Sequence, residues 1–299
     1  MATFRGRGMA EVAAFSVRYD GRDARAHVLD MRAMGTSLIG MDRIINDALV
    51  VAFEGRLPKM RERSEIGVVV AAPRAHCVDV PAALLLASGV LPFSQQIIAE
   101  YGARFVAAAM AFILSKLGGR PKEADVHFVA LMELTKEMQA SQNQQFEGLV
   151  ALNLKTQENF LALADKLRPA AVQTVNPVGR TCDEIIFPSV TGGSPTVIDA
   201  AMADAIRAKE PMEVGDMTRY QVHIDTVSIS RKTMKVFVAG RDRTLVDALI
   251  RDPVFDENPD ENIYTDSLGK DLLIDAKPTM LAATGELVKL HVMNAERPA

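Results

Sequence analysis

The chain has 299 residues, 48% of them hydrophobic and 24% charged, with a formal net charge of -4. That size and composition describe a globular protein with room for two ordinary domains, and exclude a disordered chain. The charge balance argues against a chain-wide attraction to phosphate, and two cysteines far apart in sequence, Cys77 and Cys182, exclude a disulfide framework or a paired-cysteine zinc site.

Glu11 interrupts the opening residues before any apolar stretch of signal-peptide length can form. The reading is therefore cytoplasmic, with both thiols reduced. Residues 12–19 alternate as a strand and stop at the turn pair Asp20-Gly21. From Leu29 to about Phe53, Met34, Leu38, Met41, Ile45, Leu49 and Ala52 recur at helical spacing. The β-branched run at 66–70 predicts a second strand, and 77–80 a third after a turn at 73–75. The first 85 residues thus read as a β-α-β-β unit.

Residues 80–93 and 105–114 are almost wholly apolar, separated by a segment with Gln95, Gln96, Glu100 and Arg104. Each run is shorter than the roughly 20 residues of a membrane span, and Pro81, Gly89, Pro92 and Gly102 punctuate them. A pair of buried helices, or a surface for subunit contact, is the reading. From 123 to 167 there is no proline and only Gly148, and Leu131, Leu134, Met138, Leu149, Leu152, Phe160, Leu163 and Leu167 keep a three-four spacing. One continuous helix here would be on the order of 65 Å long. The polar stretch Gln139 to Gln145 would set register in a coiled coil, or form the turn of a hairpin together with Gly148.

Arg168-Pro169 ends or bends that helix, and Asn176-Pro177-Val178-Gly179 is a turn. Thr196 with Asp199 predicts the start of a helix running to Ala208. Beyond Met212 the pattern becomes short and alternating. Tyr220, Val222 and Ile224 pair with 234–239 across 230–232, and 272–276 with 287–293 around Thr284-Gly285. Such strands predict a small, partly closed barrel.

Reactive constellations are sparse. Gly192-Gly193 lacks the lysine of a phosphate loop, and His27, His76, His127, His223 and His291 include no i, i+4 pair. His76 and Cys77 are strand neighbours and so face opposite ways. The acidic loop 252–261 contains Pro259 and lacks a calcium-loop pattern. Tyr220, Phe237, Phe255 and Tyr264 are not interleaved with basic residues, as single-strand nucleic-acid binding would need. The candidate ligand contacts are Arg180, Thr181 and Cys182, where a glycine turn presents a planar cation suited to carboxylate or phosphate.

Arg18-Tyr19-Asp20-Gly21, Pro177-Val178-Gly179-Arg180-Thr181-Cys182 after the long helix, and Asp252-Pro253, Tyr264 and Ala276-Lys277 resemble the landmarks of an uncharacterised bacterial protein family. The resemblance spans most of the chain. It implies a bacterial cytoplasmic setting and carries over no catalytic or binding residue.

The expected fold class is α+β: an N-terminal β-α-β-β unit (1–85), apolar helices with one long central helix (86–170), and a mainly β C-terminal domain (171–299) with a small barrel. The expected function is non-enzymatic assembly or sensing, with the central helices forming a homo-oligomer and the end domains binding a partner such as a protein. The alternatives are a membrane-acting effector using residues 80–114 and an enzyme whose site only the fold assembles. No cofactor or metal is expected, and nucleic acid is not the expected partner.

Overall fold

In the computed structural model, which describes residues 10–59, 62, 66–70, 78–86, 92–142, 149–189, 195–241, 244–258 and 260–298, β1 (Ala10–Asp20) ends at Gly21 as its turn signal predicts. Among these residues the protein is α+β. Its contacts divide the chain otherwise than into the three segments read from the sequence: one unit is Met1–Leu117 with Pro121–Ile206, the other Gly118–Arg120 with Arg207–Ala299.

The first unit is built on an antiparallel sheet ordered β2-β3-β1-β4-β5, with β2 (Ile66–Val70), β3 (Val78–Leu86), β4 (Glu184–Phe187) and β5 (Thr196–Ile198). Val17 and Tyr19 and their ladder partners Val80 and Val78 are buried on one face. Residues 80–86, expected in an apolar helix, belong to β3 instead. A short, uniformly apolar run carries no periodicity to separate a buried strand from a buried helix. Thr196, expected to cap a helix, pairs with Phe187 in the sheet, and Asp199 makes the cap of α6 (Ala200–Arg207) by accepting from Met202 N at 3.0 Å.

α1 (Met31–Glu54) starts at Asp30, whose side chain accepts from Ala33 N at 2.7 Å. It buries the stripe Met41, Ile44, Ile45, Ala48, Leu49 and Ala52. α2 (Pro92–Leu117) is buried continuously from Phe105 to Leu114, the expected fate of a helix that is apolar all round. It contains the one described helix long and apolar enough to cross a membrane, Gln96–Leu117, and 72% of that window is buried in the protein.

The predicted long helix corresponds to α3 (Pro121–Gln142) and α4 (Leu149–Lys166), followed by α5 (Arg168–Thr174) with its proline in the first turn. Residues 143–148, on which the choice between one helix and a hairpin turns, lie outside the described residues. Both helices contact α1 and α2. Leu131, Leu134 and Met138 of α3 and Phe160 and Leu163 of α4 are buried in the same core, with the Phe105 and Phe160 rings 6.4 Å apart. Among the described residues, much of the apolar helix surface that motivated an oligomer is sheltered inside one chain. On α3 and α4 the exposed large apolar residues among those described are Val126, Val129, Leu154 and Leu161.

The second unit contains a closed five-stranded barrel. β7 (Thr218–Ser228), β8 (Thr233–Val238) and β9 (Leu245–Ile250) form an antiparallel meander. β10 (Asp271–Leu281) returns to pair with β7, and β11 (Leu287–Glu296) pairs antiparallel with β10 and parallel with β9, closing the ring. β6 (Met212–Val214) adds to the edge of β10. The hairpins β7–β8 and β10–β11 are those the alternation predicts. Closure by β9 against β11 is non-local and is the Greek-key connectivity of an oligonucleotide/oligosaccharide-binding (OB) type of barrel. Between β9 and β10, α7 (Pro253–Glu257) and α8 (Ile263–Asp266) send Phe255 and Tyr264 into the barrel core, their rings 5.8 Å apart and edge-on.

Each unit hides a tyrosine hydroxyl. Tyr19 OH donates to Ser37 Oγ at 3.0 Å, and Ser37 donates on to Thr174 O at 2.6 Å, tying β1 to α1 and α5. Burial pushes this phenol far above its usual pKa, against a smaller pull from Ser37. Burial also raises Tyr264, helped by the Asp252 carboxylate that accepts a hydrogen bond from its hydroxyl. In both cases the folded state holds the proton more tightly than the unfolded chain, so the associated stability is full below the ordinary tyrosine pKa of about 10 and drains as pH rises beyond it. Urea melts are expected to show less stability at about pH 11 than at about pH 9, with Tyr19→Phe and Tyr264→Phe together flattening the slope. An unchanged midpoint in the wild type would contradict this.

Candidate functional site

The turn singled out in the sequence is closed on itself by backbone hydrogen bonds. Pro177 O accepts from the backbone N–H groups of Arg180, Thr181 and Cys182 at 3.0, 3.1 and 3.3 Å, and Gly179 N donates to Cys182 O at 2.8 Å. Outward, Thr181 O accepts from Ala24 N at 3.1 Å, and Asp183 N donates to Asp20 O at 2.8 Å. Arg22, held at φ 45°, pairs its guanidinium with Asp183 Oδ1 at 2.7 Å and reaches Arg180 O at 3.5 Å. The turn therefore clamps the loop that follows β1. Cys182 is sealed in the core, whereas the Arg180 side chain is exposed. The three residues present no common surface to a ligand, and a buried thiol of this kind packs as a small apolar group. His76, Cys77 and Gly192-Gly193 lie outside the described residues.

A different group of residues forms a cleft of about 390 Å³ in the first unit. Ser16 on β1 and Pro81 on β3 are ladder partners, with Asp79 two residues before Pro81. By strand alternation these three share the face opposite Val17 and Tyr19. Ala103, Arg104 and Ala107 of α2 line the same cleft, as do Phe15 and, beyond β4, Pro188 and Ser189. The volume falls within the range of small-molecule sites, and the lining is the usual apolar surface with few polar groups.

Two of those polar groups are unspent. Arg104 makes no ion pair with any described residue, and its guanidinium lies 5.3 Å from the centre of the Tyr101 ring, one helical turn away. Such stacking orients a planar cation while leaving its edge donors free. Asp79 Oδ1 is shut off from solvent and has no hydrogen-bond partner among the described residues. Arg18 stands across the ladder from Asp79, yet its guanidinium goes to Asp20 Oδ2 at 2.6 Å. Burial alone would raise the Asp20 carboxyl, but Arg18 and the Gly21 N–H outweigh it and hold the pKa below the usual value.

The sequence did carry a signal for this site: Asp79 is a single acid in an otherwise apolar strand, and Arg104 stands at the edge of the apolar run of α2. Nothing local relates two residues 25 positions apart. Only the packing of α2 beside β1 and β3 brings both into one cleft.

The second unit offers a cleft of about 510 Å³ lined by Asp266, Ser267, Lys270, Asp271, Arg297 and Pro298. Its charges are already engaged: Arg297 with Asp266 at 3.2 Å, Asp271 with His223 at 2.9 Å, and Lys270 Nζ with Asp266 O at 3.1 Å. On the β8–β9 face, which OB-type barrels present to nucleic acid, Lys235 faces Asp247 at 3.5 Å. A cation already opposite a carboxylate is a poor phosphate contact.

A family model described as a domain of unknown function (DUF7946) matches residues 15–207, and a second, a family of unknown function (DUF7947), matches residues 216–296. No curated protein matches the chain. The two spans follow the two structural units, and the uncharacterised family that the sequence landmarks resemble is in keeping with both. Since the first match takes in well over half of the 299 residues, the chain belongs to the DUF7946 family.

Proposed function

We propose that this chain is a non-enzymatic sensing protein whose first unit captures a small organic anion in the cleft between β1, β3 and α2. The observation that carries the reading is Arg104, a stacked guanidinium with no acidic partner among the described residues at the edge of an apolar-lined cleft. A planar fork of donors in that setting recognises a carboxylate or phosphate by paired hydrogen bonds. The cleft sits on regular elements of a well-filled core, which favours a preformed site over one assembled by loops.

The proposal keeps the sensing half of the expectation from sequence and sets assembly aside, because α2 from Phe105 to Leu114 and the described apolar stripes of α3 and α4 already find cover within the unit. Membrane insertion of α2 would require taking that same core apart. The test is calorimetric titration with phenylacetate, succinate, inorganic phosphate and AMP, alongside thermal-shift measurements. At least one of these anions should bind and raise the melting temperature, and Arg104→Ala should weaken it at least about tenfold, the loss of one charge-assisted contact. An Arg104→Ala protein that binds as the wild type does would refute the assignment.

A further inference from the structure

We infer that the cleft takes an amphoteric molecule: a flat apolar body carrying, besides the anion held by Arg104, an amino group that meets Asp79. This rests on the anion-cleft reading above and specifies its ligand. The first ground is the unsatisfied oxygen. A buried carboxylate oxygen without a donor is costly and uncommon in folded proteins, and Asp79 Oδ1 is in that state although an arginine stands across the ladder from it. Arg18 is drawn to Asp20 instead, so the Asp79 carboxylate keeps an oxygen without a donor among the described residues, in a cleft whose cation has no acidic partner among them. A ligand bearing an anion alone would satisfy Arg104 and bring a second negative charge toward Asp79. A ligand bearing both groups satisfies both.

The second ground is the rest of the lining. Phe15, Pro81, Pro188, Ala103 and Ala107 make up most of it, a composition that suits an apolar body more than a polyol. A volume of about 390 Å³ accommodates such a body with a polar group at each side. Two kinds of small molecule combine a ring, an anion and an amino donor: aromatic amino acids and aminopurine nucleotides. The inference concerns their shared chemistry, and the experiment separates them.

The experiment uses the full chain and two matched pairs, each keeping ring and anion and differing in the amino group: L-tryptophan against indole-3-propionate, and GMP against IMP. Affinities are measured by titration calorimetry for wild type, Asp79→Asn and Arg104→Met. In one pair the amino-bearing member should bind at least about tenfold more tightly to the wild type. Asp79→Asn should shrink that ratio to about threefold or less, while Arg104→Met should weaken both members alike. The pair in which the preference appears identifies the source of the ligand. Equal affinities within both pairs, or a preference that Asp79→Asn leaves intact, overturn the inference while the anion reading stands. If none of these four compounds binds but a simple anion does, the donor inference again fails alone. If no probe of either set binds, both readings fail. Should Asp79→Asn not fold, the wild-type ratios decide the matter by themselves.

Discussion

Replacing Gly40 by alanine is expected to destabilise the first unit by about 3 kcal/mol, whereas the same change at Gly35, in the same helix, should stabilise it by about 0.5–1 kcal/mol. A Cβ at Gly40 would lie 2.4 Å from Ala170 O, 2.6 Å from Thr174 N and 2.7 Å from Thr174 Oγ1, whereas one at Gly35 would meet nothing within 4 Å. Two of the three atoms at Gly40 are backbone and cannot rotate aside. The helices α1 and α5 would have to separate, and Thr174 O would leave Ser37 Oγ, the bond that also supports Tyr19. The usual gain in helix propensity on going from glycine to alanine applies at both sites, so the opposite signs isolate the close approach. Urea melts followed by circular dichroism read both variants. A neutral or stabilising Gly40→Ala would show that α1 and α5 do not pack as described.

Much of the architecture was legible because local chemistry and tertiary structure agree. The Asp20-Gly21 stop of β1, the stripe of α1, the β-branched strand β2 and the two barrel hairpins all follow from short-range patterns. Failures came where an environment overrides pattern. Residues 80–86 are apolar because β3 is a central strand between β2 and β1, and such a strand reads like a buried helix. Thr196 and Asp199 look like a helix-start pair, but only Asp199 serves that role. The candidate site shows the same limit. Arg180, Thr181 and Cys182 attracted notice because glycine, arginine and cysteine adjoin in sequence, and their proximity serves to clamp the loop after β1. Asp79 and Arg104 belong to different elements, and their relation is a product of packing alone.

Tyr264→Phe is expected to cost the barrel unit about 2–3 kcal/mol, because it removes the donor that Oδ2 of a buried carboxylate relies on. Asp252 is 6% exposed and Tyr264 fully buried. Asp252 Oδ1 accepts from Val254 N at 3.0 Å, capping α7, and Oδ2 accepts from the tyrosine hydroxyl at 2.7 Å. The phenylalanine ring can keep its edge-on contact with Phe255, so the loss reports on the hydrogen bond and not on the core. Asp252→Asn should be milder than Asp252→Ala, since its amide oxygen can keep the cap while its NH2 takes the place of Oδ2 and donates to the phenol oxygen. Asp252→Ala removes the cap and also strands the hydroxyl, so it should exceed Asp252→Asn. Combining Asp252→Ala with Tyr264→Phe removes both partners at once and leaves neither polar group without its mate. The double variant should therefore be more stable than the sum of the single losses predicts, by about 1 kcal/mol or more. Additive losses across the cycle would mean that acid and phenol are neighbours without mutual dependence, and that the cap alone holds the α7–α8 segment against the barrel core.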